Sequence, residues 1–172
     1  MQIAFYILLA LIVIAAFIFG PRLAHDIQKK KAFTNVYALQ NAANGKCLRI
    51  YNAGIQDGTP LIIYPHHNWE CMTWQVIGLK DGTCLLKNLY TQKTFAPQAP
   101  EANAACLQVN LGESEYCYWV LEQDSNSVRL RLQGTDLYLT AMSDETDSRP
   151  VLQPRQDRDT QRWILLPQNP IV

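Results

Sequence analysis

Apolar positions recur along this chain with a long period. Three tryptophans, Trp74, Trp119 and Trp163, stand 45 and 44 residues apart, and other apolar columns line up behind them. Twelve residues before each tryptophan come Ile62, Leu107 and Val151; further back come Leu48, Phe95 and Leu139, then Leu39, Leu86 and Leu130. A repeat of this length marks one structural unit written several times, each too small to bury its apolar face alone. Within a unit the apolar runs are short, and turn formers such as Asn44-Gly45, Asp57-Gly58, Asp81-Gly82 and Gly134-Thr135-Asp136 separate them. The run Val128-Arg129-Leu130-Arg131-Leu132 alternates with period two, which predicts a strand with Leu130 facing inward and both arginines in water. The pattern therefore predicts an all-β domain over residues 36–168, with four strands in each of three repeats at about 36–78, 79–122 and 123–168. The twelve residues of the four columns named above are its expected core.

The start of the chain follows another pattern. From Ile3 to Phe19 no residue is charged and none carries an amide, and Gly20-Pro21 ends the run. As a helix these residues would span roughly 26 Å, close to the ~30 Å hydrocarbon thickness of a bilayer. No basic segment precedes the run, it is longer than a secretory h-region, and no small-residue cleavage site follows promptly, so residues 1–20 read as an uncleaved transmembrane anchor. Residues 21–35 form a basic juxtamembrane linker with Arg22 and Lys29-Lys30-Lys31. With every nearby basic residue after the span, the positive-inside bias favours a cytoplasmic domain. The lysine run is a solvated stop-transfer flank, with contact to anionic headgroups the lesser reading.

Composition narrows the function. Across 172 residues the formal net charge is zero, which argues against a nucleic-acid partner, whose phosphates would demand a basic surface. Five cysteines without paired short spacings suit a reducing compartment; Cys84 shares a column with Tyr37 and Val128 and reads as a core residue. His66, His67, Glu70 and Cys71 collect metal-ligand chemistry, but adjacent histidines on an extended chain point to opposite sides and no C-x-x-C or H-E-x-x-H spacing supports them. No metal or cofactor is expected. A Cys–His nucleophile pair drawn from the same residues lacks an orienting third group, so no enzyme is expected either. Arg149, Arg155, Arg158 and Arg162, interleaved with Asp144, Glu145, Asp147, Asp157 and Asp159, read as a mixed-charge surface serving solubility.

Three strands carry an identifying motif: Met72-Thr73-Trp74-Gln75-Val76, Cys117-Tyr118-Trp119-Val120-Leu121 and Gln161-Arg162-Trp163-Ile164-Leu165. The last is a full Q-x-W, and the other two keep the tryptophan. Together with Gly45-Lys46-Cys47-Leu48-Arg49-Ile50, the set resembles the ricin-type β-trefoil lectin family over essentially all of residues 36–168. The resemblance implies twelve strands in three pseudo-symmetric lobes, six forming a barrel and six forming hairpins that close one end. Its members are mostly exported, which opposes the charge bias on sidedness. Export would also admit a Cys84–Cys106 bridge.

The resemblance further implies a shallow sugar site in each lobe. It is built from an aspartate just after the C-L pair, an aromatic ring that stacks on the sugar, and a polar residue in the loop before Q-x-W. At the aspartate position stand Arg49, Ala96 and Thr140; at the aromatic position stand Tyr64, Val109 and Gln153. The first lobe keeps a reduced site, with Tyr64 as platform and Arg49, His66, His67 and Asn68 around it. Arg49 in place of an acid would reverse the preference toward an acidic sugar, a phosphate or a protein carboxylate. Thr140, Gln153 and Asp157 make a weaker third-lobe candidate. The chain thus reads as a membrane-anchored, non-catalytic binding module whose partner is a glycan or, alternatively, a protein in an envelope assembly.

Overall fold

The structure is a computed structural model and describes residues 35–170. The expected span at residues 1–20, and all but the last residue of the linker, lie outside the described residues. Among the described residues no helix is long and apolar enough to cross a membrane.

Short alternating runs closed by tight turns produce twelve strands. The first repeat contains β1 (Val36–Asn41), β2 (Cys47–Ile50), β3 (Leu61–Tyr64) and β4 (Trp74–Gly78). The second contains β5 (Cys84–Asn88), β6 (Thr94–Pro97), β7 (Cys106–Val109) and β8 (Trp119–Asp124). The third contains β9 (Ser127–Leu132), β10 (Leu137–Thr140), β11 (Val151–Pro154) and β12 (Trp163–Pro167). The turn between β4 and β5 shows the local logic: Gly82 sits at φ +82°, a left-handed conformation that a side chain would strain, and Asp81 accepts hydrogen bonds from the Thr83 amide and hydroxyl.

Antiparallel pairing joins β1 to β4, β4 to β5, β5 to β8, β8 to β9, β9 to β12, and β12 back to β1. That ring is a closed six-stranded barrel with no exposed edge. The hairpins β2–β3, β6–β7 and β10–β11 supply the other six strands. The architecture is a β-trefoil.

Leu39, Leu86 and Leu130, Leu48, Phe95 and Leu139, and all three repeat tryptophans are fully buried in one cluster. Phe95 bridges two lobes, its ring centroid 5.2 Å from both Trp74, edge-on, and Trp119. The Trp74 indole donates to the Leu48 carbonyl at 3.2 Å and that of Trp163 to the Leu139 carbonyl at 3.0 Å. The buried Trp119 Nε1 has no partner among the described residues.

The fourth expected column is displaced by one residue. Pairing sets Ile63, Gln108 and Leu152 opposite Leu48, Phe95 and Leu139, so the inward positions lie eleven residues before each tryptophan. Leu107 and Val151 are half-buried rather than core, and Ile62 is buried outside the main cluster. Side chains alternate along a strand, so a one-residue shift exchanges the two faces.

The five cysteines are buried and free, in line with the core reading, and the Cys84–Cys106 bridge that export would admit is not formed: Cys84 lies on β5 and Cys106 on β7, which are not neighbours in either sheet. Burial pushes the Cys47 thiol up to about 12 and that of Cys84 to about 11, and raises Cys106 as well.

A further correction is Arg129, expected in water but only 6% exposed. Its Nη2 pairs with Asp124 at 2.9 Å and with Asp157 at 3.1 Å, and Arg162 reaches Asp124, Asp157 and Asp159 at 2.8, 2.6 and 2.8 Å. Charge on this face is covered because opposite charge arrives from β8 and from the loop before β12.

The hydrogen bond from Arg162 holds the Asp124 carboxyl below its ordinary range, outweighing the upward push of burial, and the charge of Arg129 adds to it. For Glu122, burial alone would raise the pKa, but hydrogen bonds from Arg131 at 2.5 Å and Tyr138 at 3.1 Å together lower it. A carboxylate whose pKa is depressed by folding contributes stability that is complete above its unfolded pKa, roughly 4. That contribution is lost as pH falls through the lower folded value. Thermal unfolding midpoints should therefore hold steady from neutrality to about pH 5 and drop below about pH 4, with a shallower acid limb in Asp124→Asn. An identical limb in the variant would remove Asp124 from the account.

Candidate functional site

The three hairpins present equivalent positions. Arg49 faces Ile62 across β2–β3, Ala96 faces Leu107 across β6–β7, and Thr140 faces Val151 across β10–β11. What surrounds each position differs.

In the third lobe the position is sealed. Thr140 is fully buried; its hydroxyl donates to the Tyr138 carbonyl at 2.9 Å and accepts from Gln161 Nε2 at 3.0 Å. Gln161 also donates to the Pro154 carbonyl and accepts from the Gln156 amide, at 2.9 and 2.7 Å. The glutamine of Q-x-W is thus a structural staple here. Gln153 is hydrogen-bonded to Asn103, and Asp157 is paired with two arginines.

In the first lobe, Arg49 and Tyr64 share one face because Tyr64 lies two residues beyond Ile62, the partner of Arg49. The Arg49 guanidinium carbon sits 4.5 Å from the Tyr64 ring centroid and 5.2 Å from that of Trp69. His67 stacks on Trp69 with centroids 4.1 Å apart and planes 9° from parallel. His66 and Asn68 do not join them. The His66 ring is hydrogen-bonded to the Gln168 side-chain amide at 2.7 Å, and Asn68 donates to the Asn169 carbonyl at 2.7 Å. Alternation along 66–68 sends His67 one way and its two neighbours toward the C-terminal segment. Cys71 is buried in a small apolar cluster with Ala38, Cys47 and Met72, against which Tyr64 packs. Trp69, 41% exposed, was not among the expected site residues; its signal was an aromatic outside the repeat columns and near two histidines.

In the second lobe a cavity of about 300 Å³ opens beside Ala96, Leu107 and Val109, with Asp57, Gln98 and Glu113 also on its wall. Gln108 builds it. At a position where the other lobes carry Ile63 and Leu152, the buried Gln108 amide donates to the Gly54 and Gln56 carbonyls at 3.1 and 2.8 Å. The main chain adds reciprocal bonds, Gly58 N to Gln108 O and Gln108 N to Thr59 O, both 2.8 Å. These contacts lay the loop 54–59 of the first repeat against the second lobe and deliver Asp57 to the cavity. Asp57 is paired with Lys93 at 2.6 Å, and Asn110 Nδ2 donates to both Asp57 and Glu113 at 2.9 Å. Two carboxylates thus stand where neither expected position supplies one. Glu113 lies in the loop before Trp119, where a polar residue was sought; Asp57 comes from another repeat, and no local signal points to it.

A profile of the family described as "Ricin-type beta-trefoil lectin domain-like" matches residues 24–110. No curated protein sequence matches the chain. Among solved structures, the designed three-fold symmetric protein ThreeFoil is similar at 20% identity and a TM-score of 0.73, covering 77% of this chain and 98% of its own. The Rhizoctonia solani agglutinin is similar at 12% identity and 0.72, covering 78% and 95%. The Macrolepiota procera ricin B-like lectin, solved in complex with lactose, is similar at 15% identity and 0.66, covering 76% and 94%. At these identities the likeness is one of fold.

Proposed function

The chain belongs to the ricin-type beta-trefoil lectin domain-like family, and from that premise we propose that it is a non-catalytic carbohydrate-binding module. The observation that carries this reading is the second-lobe cavity. Asp57, Glu113 and Gln98 offer acceptors for sugar hydroxyls, and Ala96, Leu107 and Val109 form an apolar wall for a C–H face. A sugar needs both, since burying its hydroxyls without partners would cost more than the apolar contact returns. The similar lectin in complex with lactose supports the ligand class.

The test is a glycan array probed with the full-length protein. Asp57→Ala combined with Glu113→Ala should reduce the signal from neutral glycans at least ten-fold while circular dichroism shows an intact fold. Retained neutral-glycan signal in the double variant, or no glycan signal from the wild type, overturns the reading. A defined protein partner recovered in the latter case would make the trefoil a docking scaffold.

The reading includes a membrane anchor at residues 3–19, supported by that unbroken apolar run. Arg22 and Lys29-Lys30-Lys31 pull the trefoil toward the cytoplasm, whereas a glycan ligand pulls it outside. A reporter fused after Gln168 decides: outside, glycans remain the ligand; inside, the docking scaffold takes their place.

A further inference from the structure

Among the described residues the first-lobe cluster has no acidic partner. Of the arginines described, four are buried or half-buried: Arg49, Arg129, Arg131 and Arg162. The last three each hold a carboxylate within 3.1 Å, whereas Arg49 has neither ion pair nor hydrogen bond to a described residue. Its Nε is buried without a partner among the described residues.

What holds Arg49 is aromatic. The guanidinium carbon lies over Tyr64 and within 5.2 Å of the Trp69 centroid, a cation–π contact. Such a contact uses the charge of the group and none of its N–H donors, so they stay free for a ligand. A carboxylate offers two oxygens at the spacing of that planar fork, and the rings beside it offer an apolar surface to the body of a sugar. His67 on Trp69 keeps the indole in place while leaving it 41% exposed.

We propose that Arg49, Tyr64, His67 and Trp69 form a second ligand site that takes the carboxylate of an acidic saccharide such as a uronic acid. The saccharide body rests on the carbohydrate-binding reading; the demand for an anion rests on Arg49 alone. The site is separate from the second-lobe cavity, so the two are tested apart.

Titration of the full-length protein with methyl glucuronide, methyl glucoside, acetate and inorganic phosphate, followed by tryptophan fluorescence, reads the site directly. Trp69 is the exposed indole beside Arg49, while the three repeat tryptophans are fully buried. The glucuronide should bind at least ten-fold tighter than the glucoside, tighter than acetate or phosphate, and more weakly as salt is added. Arg49→Gln should abolish the preference, Arg49→Lys should keep part of it, and Trp69→Phe should remove the fluorescence change. Asp57→Ala should leave all of this unaltered. Equal binding of glucuronide and glucoside, or an Arg49→Gln protein that keeps the preference, overturns the proposal. So does a preference for phosphate, which would indicate an anion site without saccharide selectivity. If glycans bind through the second lobe while glucuronide does not bind here, this proposal falls and the lectin reading stands.

Discussion

Trp163→Ala is expected to lower the unfolding free energy by about 3–5 kcal/mol, the cost of emptying a large aromatic site in a close-packed core. Trp163 is fully buried where β12 closes the barrel against β1 and β9, so truncating it opens a cavity in the shared core. The finer test replaces the indole with a phenyl ring. Trp163→Phe strips the donor from the buried Leu139 carbonyl, adding about 1–3 kcal/mol for the orphaned group. Trp119→Phe removes an N–H that has no partner among the described residues, so it should cost clearly less. Urea unfolding of the full chain by far-ultraviolet circular dichroism measures both. Equal losses for the two phenylalanine variants would mean that the indole hydrogen bonds contribute little and that packing alone holds the columns.

Gln161→Leu is expected to destabilise the protein by about 2–4 kcal/mol even though leucine fills a similar volume. The substitution leaves the Gln156 amide, the Pro154 carbonyl and the Thr140 hydroxyl without their common partner. The equivalent positions already lack the glutamine. At Met72, the turn Glu70–Met72 is held instead by Asn88 Nδ2 on the Cys71 carbonyl at 3.1 Å and by Thr73 Oγ1 on the Trp69 carbonyl at 2.8 Å. The third lobe has the matching asparagine, since Asn41 Nδ2 donates to the Thr160 carbonyl at 3.0 Å, but it relies on Gln161 as well. Chemical denaturation of Gln161→Leu beside Met72→Leu checks the point. The first should be markedly costly and the second, a volume-conserving core exchange, should cost less than about 1.5 kcal/mol. Similar small losses at both would make the Q-x-W glutamine dispensable.

The repeat could be read without coordinates because its causes are local. Tight turns at Asn44-Gly45, Asp81-Gly82 and Gly134 divide the chain into strand-length pieces, and period-two alternation marks one face of each as apolar. Three sets of such faces at one spacing have a closed, three-fold core as their common solution. Leu39, Leu86, Leu130 and the three tryptophans were legible for that reason. The column at Ile62, Leu107 and Val151 was not, because both faces of those hairpin strands carry apolar residues and pairing with the neighbouring strand chooses between them.

The candidate sites divide along the same line. Arg49 and Tyr64 could be paired from sequence because a two-residue offset across one hairpin is a local relation. Alternation separates His66 and Asn68 from His67, but that Trp69 lies by Arg49 and that His66 and Asn68 meet Gln168 and Asn169 depends on contacts with residues distant along the chain. Arg129 looked solvated because its alternation put it outside; its burial required Asp124 and Asp157 to arrive from other strands. Asp57 reached the second lobe through Gln108, more than fifty residues along the chain. The sequence by itself determined the repeat and the strand number, because hydrophobic periodicity and turn chemistry act over a few residues; the barrel was implied by the resemblance that its tryptophan motifs carry. Only the tertiary structure decided which charges were paired and which residues line the second-lobe cavity, because those outcomes follow from which distant residues meet.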